Sequence, residues 1–171
     1  MSVLFTVLVT FFAGMGAGLG TGFAGMSAAA VISPMLITFL HMDPYMAVGI
    51  ALSSDVLASA VSAYTYHKNK NLDIKNGLIM MASVLGYELK TAVGTSVFIM
   101  TFTALTGAVS HFMIGGTPDW FVWALCVVFT LLWARIAAVF ANKADPKTLN
   151  RATGVVLVVL GVVIMGFKLV A

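Results

Sequence analysis

The sequence contains little charge, and its first 42 residues contain no Asp, Glu, Lys or Arg. Charged residues make up 9% of the chain and hydrophobic residues 61%, whereas a soluble domain carries about 25% charged residues. An uncharged apolar run of about 20 residues is long enough to cross the hydrocarbon core of a bilayer. The sequence therefore predicts an all-α fold, a polytopic transmembrane helical bundle that forms one integral membrane domain over residues 1–171.

The sequence contains only one cysteine, and the other residues that could bind a metal or act in catalysis are scattered. Cys126 is the only cysteine, which excludes an internal disulfide and a cluster of thiolate metal ligands. The three histidines lie apart from one another, each at or near the end of an apolar segment, so we predict neither a metal site nor a cofactor. No nucleophile and base share a motif that would indicate an enzyme. The net charge of +3 is small and lies mainly in the joints, so nucleic acid is not an expected partner.

Glycine, in contrast, is concentrated near the N-terminus. The run consists of Gly14, Gly16, Gly18, Gly20, Gly22 and Gly25. Each glycine inside a helix costs roughly 0.5–1 kcal/mol relative to alanine, so we expect the backbone to leave the helix in this run. Within a membrane, broken backbone is buried in protein or lines a cavity, which is typical of transport proteins.

Two interpretations of this glycine run remain open. In the first, backbone N–H groups at Gly20, Gly22 and Gly25 are free and bind an anion, together with a helix that starts again after Ser27. In the second, glycines at every fourth position form a stripe against which another helix packs closely. The literal match of residues 20–25 to G-x-G-x-x-G predicts no dinucleotide site, because that fingerprint requires a soluble strand, turn and helix.

Apolar segments alternate with short charged joints along the chain. They cover residues 1–40, 45–66, 76–87, 91–114, 120–141 and 152–170. The third has only twelve residues, too few to cross the membrane. Basic residues collect in the joints at 68–75 and 143–151, whereas the joints at Asp43 and Asp119 hold no Lys or Arg. The positive-inside rule therefore predicts that both basic joints are cytoplasmic and that Asp43 and Asp119 lie outside.

The second and fourth segments are related in sequence. An Ala-Val-Gly triplet at 47–49 recurs at 92–94, and the Leu and acidic residues before it recur at the same offset of 45. Because the predicted topology makes these segments antiparallel, the pattern indicates an inverted internal repeat, as in many transporters. Copy one then covers residues 1–76, and an incomplete copy two covers residues 77–171. The alternative is chance similarity between two helices rich in Ala, Val and Gly.

Asp55 is the only acid well inside an apolar segment, eleven residues into the second one. A charge at that depth costs about 2.5–3.5 kcal/mol on insertion scales, so we expect the side chain to face protein or water. Ser59, Ser62 and Tyr66 follow on the same helix face. In a functional interpretation Asp55 carries a proton or binds a coupling cation, with Ser59 and Ser62 on the proton route. In a structural interpretation it is a neutral acid that is hydrogen-bonded to a neighbouring helix.

Hydroxyl side chains mark the fourth segment, with Thr95 and Ser96 near its start and three more on the face of Ser96. Such hydroxyls coordinate an oxyanion or satisfy carbonyl groups of their own helix, and both interpretations stay open. Arg135, near the end of the fifth segment, is expected to extend its side chain to the cytoplasmic surface rather than to bind a substrate.

Several of these features occur in a characteristic order. They are the Gly16–Gly25 run followed by Pro34, the helix start Ala92–Ser96, His111 followed by Gly115 and Asp119–Trp120, and the final Arg151, Gly154, Leu157, Leu160 and Gly161. In this order they resemble the sulfite exporter TauE/SafE family of membrane permeases, over most of the chain. The resemblance implies export or uptake of small anions, typically sulfite, sulfonates or related organic acids, across the bacterial inner membrane.

The chain departs from that family in length. Members are usually longer and have two glycine-rich repeat starts, whereas the second start is absent here. An internal deletion between Gly77 and Gly86 would explain both differences, as would residues missing from the sequence as given. The sequence thus predicts a multi-pass permease in the lipid bilayer for small anions, with proton coupling through Asp55 as a hypothesis and a homo-oligomer left open. The alternatives are a truncated, non-transporting membrane protein that packs with a partner, and a small cation channel that uses Asp55.

Overall fold

The structure, a computed structural model, describes residues 2–73, 89–115 and 118–170. Its helices are α1 (Val3–Ala24), α2 (Ala29–Leu40), α3 (Pro44–Lys68), α4 (Leu89–Ile114), α5 (Trp120–Lys143) and α6 (Pro146–Val170). Of these, α1, α3, α4 and α5 are each long and apolar enough to cross a membrane. The predicted helical membrane bundle is therefore confirmed. The expectation that residues 76–87 form a short segment that does not cross the membrane lies outside the described residues.

Acidic side chains fix where several helices begin. Asp43 accepts hydrogen bonds from the amides of Tyr45 and Met46 at the start of α3. Asp119 does the same at the start of α5, and Asp145 accepts from the amides at the start of α6. Hydrogen bonds from Thr148 hold the pKa of the exposed Asp145 carboxyl below its ordinary value. A carboxylate at a helix N-terminus satisfies free amides and favours the helix dipole, so these joints are acidic for a structural reason.

Glycines bring α1 and α5 into backbone contact. A Cβ on Gly14 would lie 2.6 Å from the Cβ of Phe129, and one on Gly18 would lie 2.6 Å from the amide nitrogen of Ala134. Only glycine allows this approach, and α1 remains helical throughout the run until Ala24. The expectation that the backbone leaves the helix among these glycines is therefore wrong up to that residue. Close packing on α5 offsets the low helix propensity of glycine.

Helices α3 and α4 run antiparallel and contact each other near both ends through a glycine. A Cβ on Gly49, near the start of α3, would lie 2.5 Å from Cδ2 of His111, near the end of α4. A Cβ on Gly94, near the start of α4, would lie 2.9 Å from the Cβ of Tyr66, near the end of α3. Adding the repeat offset of 45 to Gly49 and Tyr66 gives Gly94 and His111. The two contacts are thus equivalent, as an inverted repeat requires.

Helix α3 lies at the centre of the bundle. It packs against α4, α5 and the half-length helix α2, and α1 packs mainly on α5. Trp123 of α5 donates its indole N–H to Ser53 of α3 at 2.7 Å, and Asn71 donates to Asn142 at 2.7 Å beyond the other end of α3. These two bonds show that α3 and α5 are parallel. Helix α2 folds back along α3 from the end of α1, which places the break between α1 and α2 inside the bundle.

Candidate functional site

The break between α1 and α2 is the irregular backbone within the apolar first segment. Helix α1 ends at Ala24, and Gly25 adopts a left-handed conformation with φ of 65°. The amide of Gly25 donates to the carbonyl of Thr21 at 3.1 Å, and the amide of Met26 donates to the carbonyl of Gly20 at 3.2 Å. The broken first segment is confirmed, and the non-helical stretch is confined to residues 25–28.

The carboxyl group of Asp55 lies at the start of α2. The Ser27 hydroxyl donates to Oδ2 of Asp55 at 2.5 Å, and the amide of Ala28 donates to Oδ1 at 3.0 Å. The same Ser27 hydroxyl accepts from the amide of Ala29 at 3.3 Å. Asp55 is only 1% exposed, so α3 supplies a buried acid to a helix N-terminus that favours negative charge.

The rest of the polar stripe on α3 is also buried. Ser59 donates to the carbonyl of Asp55 at 2.6 Å, and Tyr66 donates to the carbonyl of Gly22 at 2.8 Å. The hydroxyl of Ser62, between them in sequence, has no hydrogen-bond partner among the described residues. The stripe therefore faces protein, which is one of the two environments expected for Asp55, and α3 holds the backbone on both sides of the break.

Helix α4 contacts the break from another side. Ser96 donates to the carbonyl of Gly25 at 3.2 Å, and a Cβ on Gly25 would lie 3.1 Å from that hydroxyl oxygen. Thr95 is buried and instead accepts from the amide of Asp73 at 3.4 Å. Further along α4, Thr103 and Thr106 are exposed and donate to carbonyls of their own helix. Among the hydroxyl side chains on this face of α4, Ser96 is therefore the one for which the structure describes a hydrogen bond to the break.

Helix α6 adds a contact that the sequence patterns did not indicate. Thr153 donates to the carbonyl of Phe23 in the last turn of α1 at 3.3 Å. The signal that could have revealed it is the pair Thr153-Gly154, a small polar residue beside a glycine at the start of an apolar run. Side chains from α3, α4 and α6 thus bond the backbone around the break.

A family model described as "Sulfite exporter TauE/SafE" matches residues 10–86 and again residues 77–164. The chain belongs to the sulfite exporter TauE/SafE family. No curated protein and no solved structure matches the chain. Members of the TauE/SafE family are membrane transporters of sulfite-type anions rather than enzymes. This agrees with the four helices, among the residues that the structure describes, that are long and apolar enough to span a membrane.

The two TauE/SafE matches share residues 77–86. This is the stretch in which the sequence repeat loses its phase, and it lies outside the described residues. The proposed deletion there stays a prediction, as does the division of the chain into copies at residues 1–76 and 77–171.

The structure of this TauE/SafE member brings only part of the predicted site together. Gly25 and Ser27 lie at the break, with Ser96 on Gly25 and Asp55 on Ser27. Gly20 and Gly22 lie inside α1 and contribute carbonyl groups, to Met26 and Tyr66 respectively. The expectation of free amides at these two glycines is wrong, because both are in regular helix.

Proposed function

We propose that this TauE/SafE member is a permease that moves small oxyanions, such as sulfite, sulfonates or related organic acids, across the bacterial inner membrane. The anion binds at the break, between the start of α2 and Ser96 of α4. One observation supports this choice above others: the carboxylate of Asp55 already sits on the amide of Ala28 and the hydroxyl of Ser27. A carboxylate and a sulfite-type anion offer the same kind of acceptor oxygen, so this carboxylate acts as an internal substitute for the substrate.

Competition between Asp55 and the substrate couples transport to protons. When the anion takes the amide of Ala28, the Asp55 carboxylate loses its donors next to a second negative charge. Two negative charges do not remain together in a site of this kind, so Asp55 takes up a proton as the anion binds. When the anion leaves, Asp55 releases the proton and returns to the start of α2. The expected stoichiometry is one proton carried with each anion bound.

The proton route follows the buried face of α3 toward its C-terminal end. Ser59 and Tyr66 each donate to a backbone carbonyl, whereas the Ser62 hydroxyl is buried and has no partner among the described residues. A buried hydroxyl without a partner is costly, and a transient water or proton donor in the route would satisfy it. Ser62 is therefore the residue of the stripe from which we expect proton relay.

Flux of a radiolabelled or sulfur-detected anion into proteoliposomes tests this proposal. Wild-type protein should accumulate sulfite-type anions when the pH gradient drives protons in the same direction, with saturation at high concentration. Flux of cations without saturation would indicate a channel instead. Absence of anion flux from correctly inserted protein would refute the permease assignment.

A non-transporting protein that packs with a partner is the second candidate, because α4 exposes polar residues. Ala51 and Ala58 of α3 are fully buried, but their repeat counterparts Ser96 and Thr103 are exposed. A cysteine at position 103 in a Cys126→Ser background tests for a partner at this face. Cross-linking there without any anion flux would favour this candidate over the permease.

A further inference from the structure

A groove lies between α3 and α5, away from the break. Its volume is about 570 Å³, and its apolar walls include Val61 of α3 and Leu131, Leu132 and Val139 of α5. Lys68 and Arg135 also line it. Both basic side chains are exposed, as is Leu132. The groove thus combines a path for a hydrocarbon chain with two positive charges.

The position of the charges suits one leaflet of the bilayer. Lys68 is the last residue of α3, and Arg135 lies eight residues before the end of α5, about 12 Å along the helix axis. An arginine side chain can bridge much of that distance by extending toward the headgroups. The predicted topology places this end of both helices at the cytoplasmic surface. Anionic lipids give that leaflet a negative surface potential, and basic pockets between helices bind their headgroups.

We propose that this groove binds one anionic phospholipid. Its phosphate lies against Arg135 and Lys68, and one acyl chain lies along the apolar side chains of α3 and α5. The planar guanidinium donates two parallel hydrogen bonds to phosphate oxygens, and the lysine adds a second charge. The apolar walls favour a lipid over a soluble anion, because a free phosphate or sulfite would leave them uncovered. This site is separate from the break and does not depend on the proposed transport function.

Native mass spectrometry of the delipidated full-length protein tests the proposal. Phosphatidylglycerol is the probe, and phosphatidylethanolamine and glycerol phosphate are the comparison ligands. We expect one phosphatidylglycerol to bind preferentially, with its affinity lowered about fivefold by Arg135→Gln and again by Lys68→Gln. Lys147→Gln removes an exposed charge from the neighbouring joint outside the groove, and it should leave the affinity unchanged.

Three results would overturn the proposal. They are equal affinity for phosphatidylethanolamine, unchanged affinity in the double variant of Arg135 and Lys68, and competition by glycerol phosphate at the concentrations at which the lipid binds. A second variant tests the chain-binding part without altering charge: Leu132→Ala should weaken phosphatidylglycerol binding and leave the weak binding of glycerol phosphate unchanged. Because the substituted side chains of Leu132, Lys68 and Arg135 are all exposed, these variants are expected to fold.

Discussion

Helices α3 and α4 are repeat counterparts, yet α3 is far more enclosed. In the apolar 18-residue window of each helix, 56% of the residues are buried in α3 and 17% in α4. The contacts between the two helices are symmetric, but α2 and α5 pack far more extensively on α3 than on α4. Asp55 of the enclosed helix corresponds to Met100 of the open one. The difference teaches that the repeat determines how the two helices pair, whereas the neighbours of α3 determine where a buried carboxyl is held.

The orientation of α3 in the membrane, and with it that of the antiparallel α4, gives the prediction with the largest effect, because labelling is all or none. In spheroplasts of a Cys126→Ser strain, a cysteine at position 43 should react with an impermeant reagent, and one at position 70 should react only after lysis. Cys126 is the only cysteine of the sequence, so its replacement leaves the introduced cysteine as the only reactive thiol of this protein. Labelling at position 70 from outside would refute both the predicted topology and the cytoplasmic location of the lipid groove.

Substitutions at the repeat-related positions 55 and 100 test whether proton coupling belongs to α3 alone. Asp55→Asn preserves the size of the side chain and an acceptor for the amide of Ala28, but it cannot carry the proton. We expect it to fold and to lose accumulation driven by a pH gradient, while exchange of anion for anion survives. Met100→Asn, in the other copy, should keep gradient-driven accumulation. Accumulation by Asp55→Asn equal to wild type would show that the carboxyl is structural only.

Glycine replacements test the paired contacts at the two ends of α3 and α4. Gly49→Ala places a methyl group against His111, and Gly94→Ala places one against Tyr66 and the carbonyl of Asn71, so each should destabilise the protein by roughly 1–3 kcal/mol. Gly107→Ala is the matched control in α4, since its Cβ would meet Leu52 at an ordinary 3.4 Å. Unfolding in mixed micelles with increasing denaturing detergent measures the three variants. Equal stability of all three would disprove the close contacts.

The smallest expected effect is the difference in stability between phenylalanine substitutions of the tyrosines at the two ends of α3. Tyr66→Phe removes a buried hydrogen bond to Gly22 and should cost about 0.5–1.5 kcal/mol. Tyr45→Phe removes a more exposed bond to the carbonyl of His111, so its cost should be smaller. The same unfolding assay compares them. A larger loss for Tyr45→Phe would contradict the conclusion that α3 is most strongly held beside the break.

Much of this fold could be predicted from the sequence, because membrane insertion imposes length and charge limits on each helix. The spans, the broken first segment and the position of Asp55 away from lipid all follow from local patterns. The exact position of the break does not follow from local patterns. The low helix propensity of glycine can be read from the sequence, but the packing on α5 that offsets it depends on residues far away in the chain. Sequence patterns also could not predict that Asp55 caps α2, because Ser27 and Asp55 are 28 residues apart in the chain.

The glycine-mediated contact of α1 with α5 limits how the protein can change shape. Because their backbones touch directly, with little side-chain volume between them, these two helices are expected to move as one rigid body. The paired glycine contacts make a second body of α3 and α4. For the proposed transport, we expect the break to open to either side of the membrane by sliding of one pair past the other. The bonds of Tyr66 to Gly22, Ser96 to Gly25 and Trp123 to Ser53 cross that boundary, as does the packing of α3 on α5. The expected motion therefore has to break these side-chain hydrogen bonds and rearrange that packing.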